Sequence, residues 1–222
     1  MWKSVAYKEW LKIRWFLILS TIFGVLAVGY IILKVQYDFK FNDPNNYWYV
    51  LLFMKVKYFS ILKFVPLIIG FAVSVTQYFP ETVDKRIKLT FHLPINENKI
   101  LLIMMLFGTA CLLASYTLLT LIFYVLSTIY FPADIILPAL ISITPWLLSG
   151  FAIYYLVAFI ILEPMWKYRF FYLVFATSIF PIFLESSIAG GFAPINMSLA
   201  VLVIALSISL LFSGYRFRKG EQ

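Results

Sequence analysis

Long apolar runs alternate with short polar interruptions along this chain, and the run lengths predict membrane-spanning helices. A stretch of about twenty apolar residues is long enough to cross the roughly 30 Å hydrocarbon core of a bilayer. We therefore predict an all-α polytopic membrane protein, a single transmembrane domain with six spans and both termini in the cytoplasm. The spans are expected at residues 15–33, 57–79, 100–129, 139–162, 170–184 and 197–213.

Two segments outside these spans have a pattern of their own. In residues 1–14, Trp10 and Ile13 belong to one helical face, and Lys8 and Lys12 fall on another. This pattern predicts an amphipathic helix that lies in the membrane interface. Residues 185–196, ESSIAGGFAPIN, follow an apolar run of only about fifteen residues, too short for a full crossing, and are expected to form a re-entrant or interfacial segment at the outer side.

Composition supports the membrane interpretation, and charge gives the orientation. Hydrophobic residues make up 63% of the chain and charged residues 13%, about half the charged fraction of a soluble domain. The net charge of +8 is read as orientation rather than as nucleic-acid binding, because Lys and Arg accumulate on the cytoplasmic side of membrane proteins. The basic residues are concentrated in residues 1–14, the loop 80–99, the link before the fifth span, and the tail. We expect a multi-pass protein of the cell (cytoplasmic or inner) membrane.

The sequence lacks several motifs and residues on which nucleotide binding, metal binding, catalysis or ion coupling would depend. The chain has no G-x-x-x-x-G-K-[ST] motif for binding nucleotide phosphates and only one histidine, His92, with no second ligand at metal-binding spacing. No predicted span holds a histidine that could activate a serine. Asp134, Glu163 and Glu185 lie near span ends, which disfavours an ion-coupled carrier. We expect no catalytic residues, no metal site and no enzyme activity in this chain.

The polar loop at residues 80–99 is the most charged interruption between the spans. Val83, Ile87 and Phe91 stand at i, i+4 and i+8, which predicts a short helix with one apolar edge. Basic residues occupy its other faces, and Pro94 ends the helix. The alternative is a solvated loop that carries only the positive-inside charge.

In this loop Glu81 is followed by basic residues, then Leu93-Pro94-Ile95, polar residues, and Lys99 opening the third span. In this order the chain resembles the type-2 ABC transporter permeases. The family pattern is E-x-(basic/Gly)-x-L-x-x-x-P-[IV]-S-x-x-x-[IL]-x-x-K between the second and third spans. The order of elements is also similar, from the N-terminal amphipathic helix to the short fifth span. Asn96 stands where the family usually has serine.

The resemblance implies a permease subunit that pairs with a second six-span subunit, either identical or a paralogue. Two cytoplasmic ABC ATPase subunits would bind ATP and Mg, so that this chain needs no cofactor, and export is favoured over import. The alternatives are a membrane scaffold or channel-like subunit without a nucleotide cycle, or an ion-coupled secondary carrier. The residues expected to couple to the ATPase are Glu81, Val83, Arg86, Ile87, Phe91, Leu93 and Pro94.

Three lysines, Lys55, Lys57 and Lys63, precede or begin the second span on the predicted outer side. They do not share one helical face, so they can act simply as anchors at the membrane interface. Alternatively, they attract an anionic lipid or substrate group near the outer exit. The sequence leaves both interpretations open.

Overall fold

The computed structural model describes residues 2–41, 43–83, 97–163, 165–184, 189–191 and 193–219, and this part of the chain folds into helices without β-strands. We number the α-helices in chain order. They are α1 (Trp2–Phe41), α2 (Pro44–Leu52), α3 (Val65–Val83), α4 (Glu97–Thr128), α5 (Ala133–Leu162), α6 (Trp166–Leu184) and α7 (Asn196–Lys219), with a 3₁₀ helix at Ser60–Phe64 before α3.

Five of these helices contain segments long and apolar enough to cross a bilayer: Ser4–Phe41, Ser60–Val83, Lys99–Thr128, Ala133–Leu162 and Trp166–Leu184. Within α7 the apolar stretch Asn196–Leu210 is shorter. An α-helical membrane protein is therefore confirmed, whereas the sixth crossing and the cytoplasmic placement of both termini stay predictions. The fifth of these helices begins four residues earlier than predicted, at Trp166, so it is long enough to be a span.

Helix α5 lies at the centre of the bundle and packs against α3, α4, α6 and α7. It is apolar around its whole circumference, which is typical of a helix with neighbours on every side. Trp146 and Tyr154 of α5 are almost completely buried. Helix α6, in contrast, makes its main contacts with α5 alone and leaves most of its surface exposed.

Helices α3 and α5 approach each other closely at Gly70 and Gly150. A Cβ atom on Gly70 would collide with the main-chain oxygen of Gly150, and a Cβ on Gly150 would collide with the hydroxyl of Tyr116. That hydroxyl donates a hydrogen bond of 2.9 Å to the main-chain oxygen of Pro66. Glycine is needed at both positions because the two backbones almost touch.

Helix α1 differs from the predicted pair of an interfacial helix at 1–14 and a span at 15–33. It is one continuous helix of 40 residues, about 60 Å long at 1.5 Å per residue, and no proline interrupts it. Ile13 is completely buried, whereas Trp10 is 40% exposed. Residues 4–14 therefore pack partly against the bundle through Ile13, which belongs to the predicted apolar face.

The opposite end of α1 lies among aromatic side chains. Phe39 contacts Tyr47 and Trp48 of α2 and Phe131, with ring centroids 5.0 to 6.3 Å apart. Asp43 caps α2, because its carboxylate accepts a hydrogen bond of 3.1 Å from the main-chain N–H of Asn45. The short helix α2 therefore begins directly after this cap.

The segment before α7 was predicted to be re-entrant, and its described part is attached to the rest of the bundle. The main-chain N–H of Ala189 donates to the main-chain oxygen of Lys55 at 2.9 Å. The N–H of Gly190 donates to the Ser142 hydroxyl at 2.7 Å. Residues 185–188, including Glu185, and residue 192 lie outside the described part, and the depth of the segment in a membrane stays a prediction.

Candidate functional site

A buried cluster of charged side chains joins the first part of α1 to the last turn of α3. The Lys12 ammonium lies 2.6 Å from Glu9 Oε1 and 2.6 Å from Glu81 Oε1. Lys8 contacts the same oxygen of Glu81 at 2.8 Å. The side chains of both glutamates are only 1% exposed, so each carboxylate depends on the lysines for its stability inside the protein.

Local helix geometry explains how this charge cluster forms. Lys8 and Lys12 are four residues apart on α1 and point to the same side, and Glu9 reaches Lys12 at the i, i+3 spacing. Glu81 follows Pro80, which interrupts the hydrogen-bonding pattern of α3 but not the helix itself. The helix continues to Val83. Residues 80–83, which were predicted to belong to the polar loop, are therefore the last turn of α3.

The charge cluster continues into the bundle through Gln77, one helical turn before Glu81. Its Nε2 donates to the main-chain oxygen of Met104 in α4 at 2.7 Å. Its Oε1 accepts a hydrogen bond of 2.8 Å from the Tyr154 hydroxyl of α5, which lies 3.1 Å from the hydroxyl of Tyr78. Gln77 is completely buried, and it links α3 to both α4 and α5.

Gly108 of α4 makes room for this hydrogen-bond network. A Cβ at Gly108 would overlap with the Tyr154 hydroxyl and would approach Gln77 Oε1. The position therefore requires the smallest side chain, and the network has no space for a substrate. Its arrangement suits the fixing of helices relative to one another rather than the binding of a ligand.

We expect Tyr154→Phe to destabilise the protein by about 1–3 kcal/mol, because the buried Gln77 oxygen loses its donor. Thermal unfolding in detergent would measure the change. The matched control is Tyr155→Phe, since the Tyr155 hydroxyl pairs with Thr109, which also donates to Met105. Equal effects of the two substitutions would show that the Gln77 contact has no special role.

The structure describes two of the seven predicted coupling residues. Glu81 and Val83 are in the last turn of α3, with Val83 60% exposed and Glu81 buried. Because Glu81 is enclosed by Lys8 and Lys12, it can position the loop but does not present its carboxylate on the surface. The other predicted coupling residues, Arg86, Ile87, Phe91, Leu93 and Pro94, lie outside the described residues.

The three lysines predicted on the outer side have different surroundings. Lys57 lies 5.4 Å from the centre of the Trp146 ring, and Lys63 lies 4.7 Å from the Phe64 ring. Lys55 has a positive φ of 51°, and its main-chain oxygen accepts the bond from Ala189. Burial, and then the nearby charge of Lys63, lowers the pKa of Lys57. Anchoring and anion attraction both stay open as roles.

Sequence reasoning missed the charge cluster because it treated residues 1–14 as an interfacial helix. A signal was present: Glu9 precedes Ile13 by four residues and so lies on the same face as this buried side chain. Among the described residues, no group of three His, Cys, Asp or Glu side chains is arranged to hold a metal ion. The charge cluster is thus an ion-paired contact between helices.

Comparison with known proteins finds nothing similar, since no protein-family model, curated protein or solved structure matches the chain. The family resemblance therefore rests on the loop residues and the order of elements alone. Any function has to be argued from this chain's own side chains.

Proposed function

We propose that this chain is the membrane-spanning permease subunit of an ATP-driven ABC transporter, with export as its direction. A separate cytoplasmic ATPase would act on it through the loop at residues 80–99. The observation that carries this proposal is the contact of Glu81 with Lys8 and Lys12, because it fixes the helix leading into the loop to the N-terminal helix. A force applied to the loop would reach α1 as well as α3.

The hydrogen bonds of Gln77 extend this connection. Since Gln77 contacts both α4 and α5, a displacement of the end of α3 would also be transmitted to the two helices that flank it. Gly70 and Gly150 then hold α3 against α5 further along the bundle. This arrangement supports movement of the helices as a rigid group, as a transporter driven from one cytoplasmic loop requires.

The proposed assembly contains two six-span subunits, identical or paralogous, and two cytoplasmic ATPase subunits that hold ATP and Mg. It lies in the cell membrane, and this chain itself binds no cofactor and hydrolyses nothing. ATP-driven closure of the ATPases would press on the loops and alternate the access to a pathway between the two membrane subunits.

A pull-down with co-expressed ABC ATPase subunits from the same organism would test the proposal. We expect the double substitution Ile87→Asp and Phe91→Asp to abolish co-purification, because it places two charges on the apolar edge of the loop. The control pair Lys85→Asp and Lys88→Asp alters other faces and is expected to retain binding. Co-purification that survives the first pair would contradict the proposal and favour a scaffold or channel-like subunit.

One observation favours a second candidate, an ion-coupled carrier: the buried carboxylates of Glu9 and Glu81. Buried carboxylates in membrane proteins often bind protons or cations. Here, however, the Lys12 and Lys8 ammonium groups occupy the position that a cation would take. A carrier would show ion-driven uptake into liposomes without any ATPase, and Glu81→Gln would abolish that uptake.

A further inference from the structure

A groove lies at the end of the bundle where α3 and α5 finish and α6 begins. It has a volume of about 440 Å³, within the usual range of small-molecule sites. Its walls include Phe79 of α3, Ile160 of α5, and Phe170 and Leu173 of α6, and Arg169 is the one charged residue among the described residues that line it. In this part of the chain the groove thus combines apolar walls with one cation.

Two local contacts hold Arg169 in place. Its Nε donates a hydrogen bond of 2.7 Å to the main-chain oxygen of Glu163, and its guanidinium carbon lies 5.4 Å from the centre of the Trp166 ring. Within the described part of the chain, no carboxylate forms an ion pair with it. Its two terminal nitrogens are therefore able to bind an anion, and phosphate matches their fork geometry.

The walls restrict what kind of anion can bind. Phe79 is 53% exposed and Phe170 is 66% exposed, and both belong to helices that are long and apolar enough to cross a membrane. A free phosphate would pair with Arg169 but would leave these walls uncovered. An anionic amphiphile satisfies both parts of the groove, because its head group can reach Arg169 while its chain covers the aromatic and aliphatic side chains.

We propose that this groove binds an anionic phospholipid of the surrounding membrane, with the phosphate at Arg169 and one acyl chain along Phe170 and Leu173. Trp166, which is 80% exposed, begins α6 beside this groove, and tryptophan is favoured at the level of the lipid head groups. The site requires that the helices be embedded in a membrane. The lipid site does not depend on the proposal that the chain is an ABC permease subunit, so an experiment can contradict one proposal without contradicting the other.

The test uses the full chain in neutral detergent, titrated with phosphatidylglycerol or with phosphatidylcholine that has the same acyl chains. Native mass spectrometry would measure bound lipid, and thermal unfolding would measure the accompanying stabilisation. Phosphatidylglycerol is expected to bind more tightly. Arg169→Gln should weaken its binding by about fivefold and leave phosphatidylcholine binding unchanged.

Lys167→Gln is the matched control, because Lys167 also carries one positive charge in α6 but does not line the groove. It is expected to leave lipid selectivity unchanged. If Arg169→Gln does not fold, Leu173→Trp keeps the arginine while filling the groove, and it should weaken the binding of both lipids.

Three results would overturn the lipid site. The first is equal affinity of the wild-type chain for the two lipids. The second is equal loss of selectivity in Arg169→Gln and Lys167→Gln, which would indicate general surface charge. The third is competition by glycerol phosphate as strong as that by phosphatidylglycerol, which would indicate a site for free phosphate.

Discussion

Lys12→Met is expected to destabilise the protein by about 3–5 kcal/mol, since it removes the ammonium shared by two buried carboxylates. Glu9 would then lose its ion pair with Lys12, and Glu81 would keep only Lys8. The expected result is a lower unfolding temperature in detergent and a lower yield of folded protein from the membrane.

Lys8→Met is the natural control for this substitution. The Lys8 side chain is 42% exposed, against 14% for Lys12, so that water can replace its contact with Glu81. Its loss should therefore cost no more than about 1 kcal/mol. The triple variant Lys12→Met, Glu9→Gln and Glu81→Gln should recover part of the stability, because it leaves no unpaired buried charge. Equal destabilisation by the two lysine substitutions would contradict the proposed role of Lys12.

The second large effect is expected at Gly70. Gly70→Ala places a Cβ against the main-chain oxygen of Gly150, and this atom cannot rotate away as a side chain could. Helices α3 and α5 would have to separate, with an expected cost of about 1–3 kcal/mol. The same detergent unfolding measurement would detect it.

Gly29→Ala provides the matched comparison within the apolar part of α1. Nothing lies within 4 Å of the position that its Cβ would take, and alanine favours a helix over glycine by about 1 kcal/mol. The variant should be as stable as the wild type or more stable. If Gly70→Ala behaves in the same way, α3 and α5 are not fixed by their close contact.

The run lengths predicted the membrane helices because lipid requires a long apolar segment wherever a helix crosses. Helices α4 and α5 begin and end within a few residues of the apolar runs, except that α5 starts earlier, at Ala133. The continuity of α1 was not predicted, because charged residues in its first turns were interpreted as a change of environment. In the structure Lys8, Glu9 and Lys12 form ion pairs inside the protein.

The charge cluster could not be derived from local pattern. Whether Glu9 is buried depends on α3, since Lys12 and Glu81 are 69 residues apart in sequence. Periodicity reports only which residues share a face, not which other helix covers that face. The hydrogen bonds of Gln77 could not be derived from local pattern either, because its partners Met104 and Tyr154 are 27 and 77 residues away in sequence.

The separation between Lys12 and Glu81 also has a consequence for synthesis. Ribosomes add about 5–20 residues per second, so roughly 3–14 s pass between the translation of Lys12 and that of Glu81. During this interval α1 lies beside the translocon or in the lipid, and Lys8 and Lys12 have no contact with Glu81. A nascent chain arrested before Glu81 would therefore be the form most open to quality-control proteases, and the emergence of α3 would end that exposure.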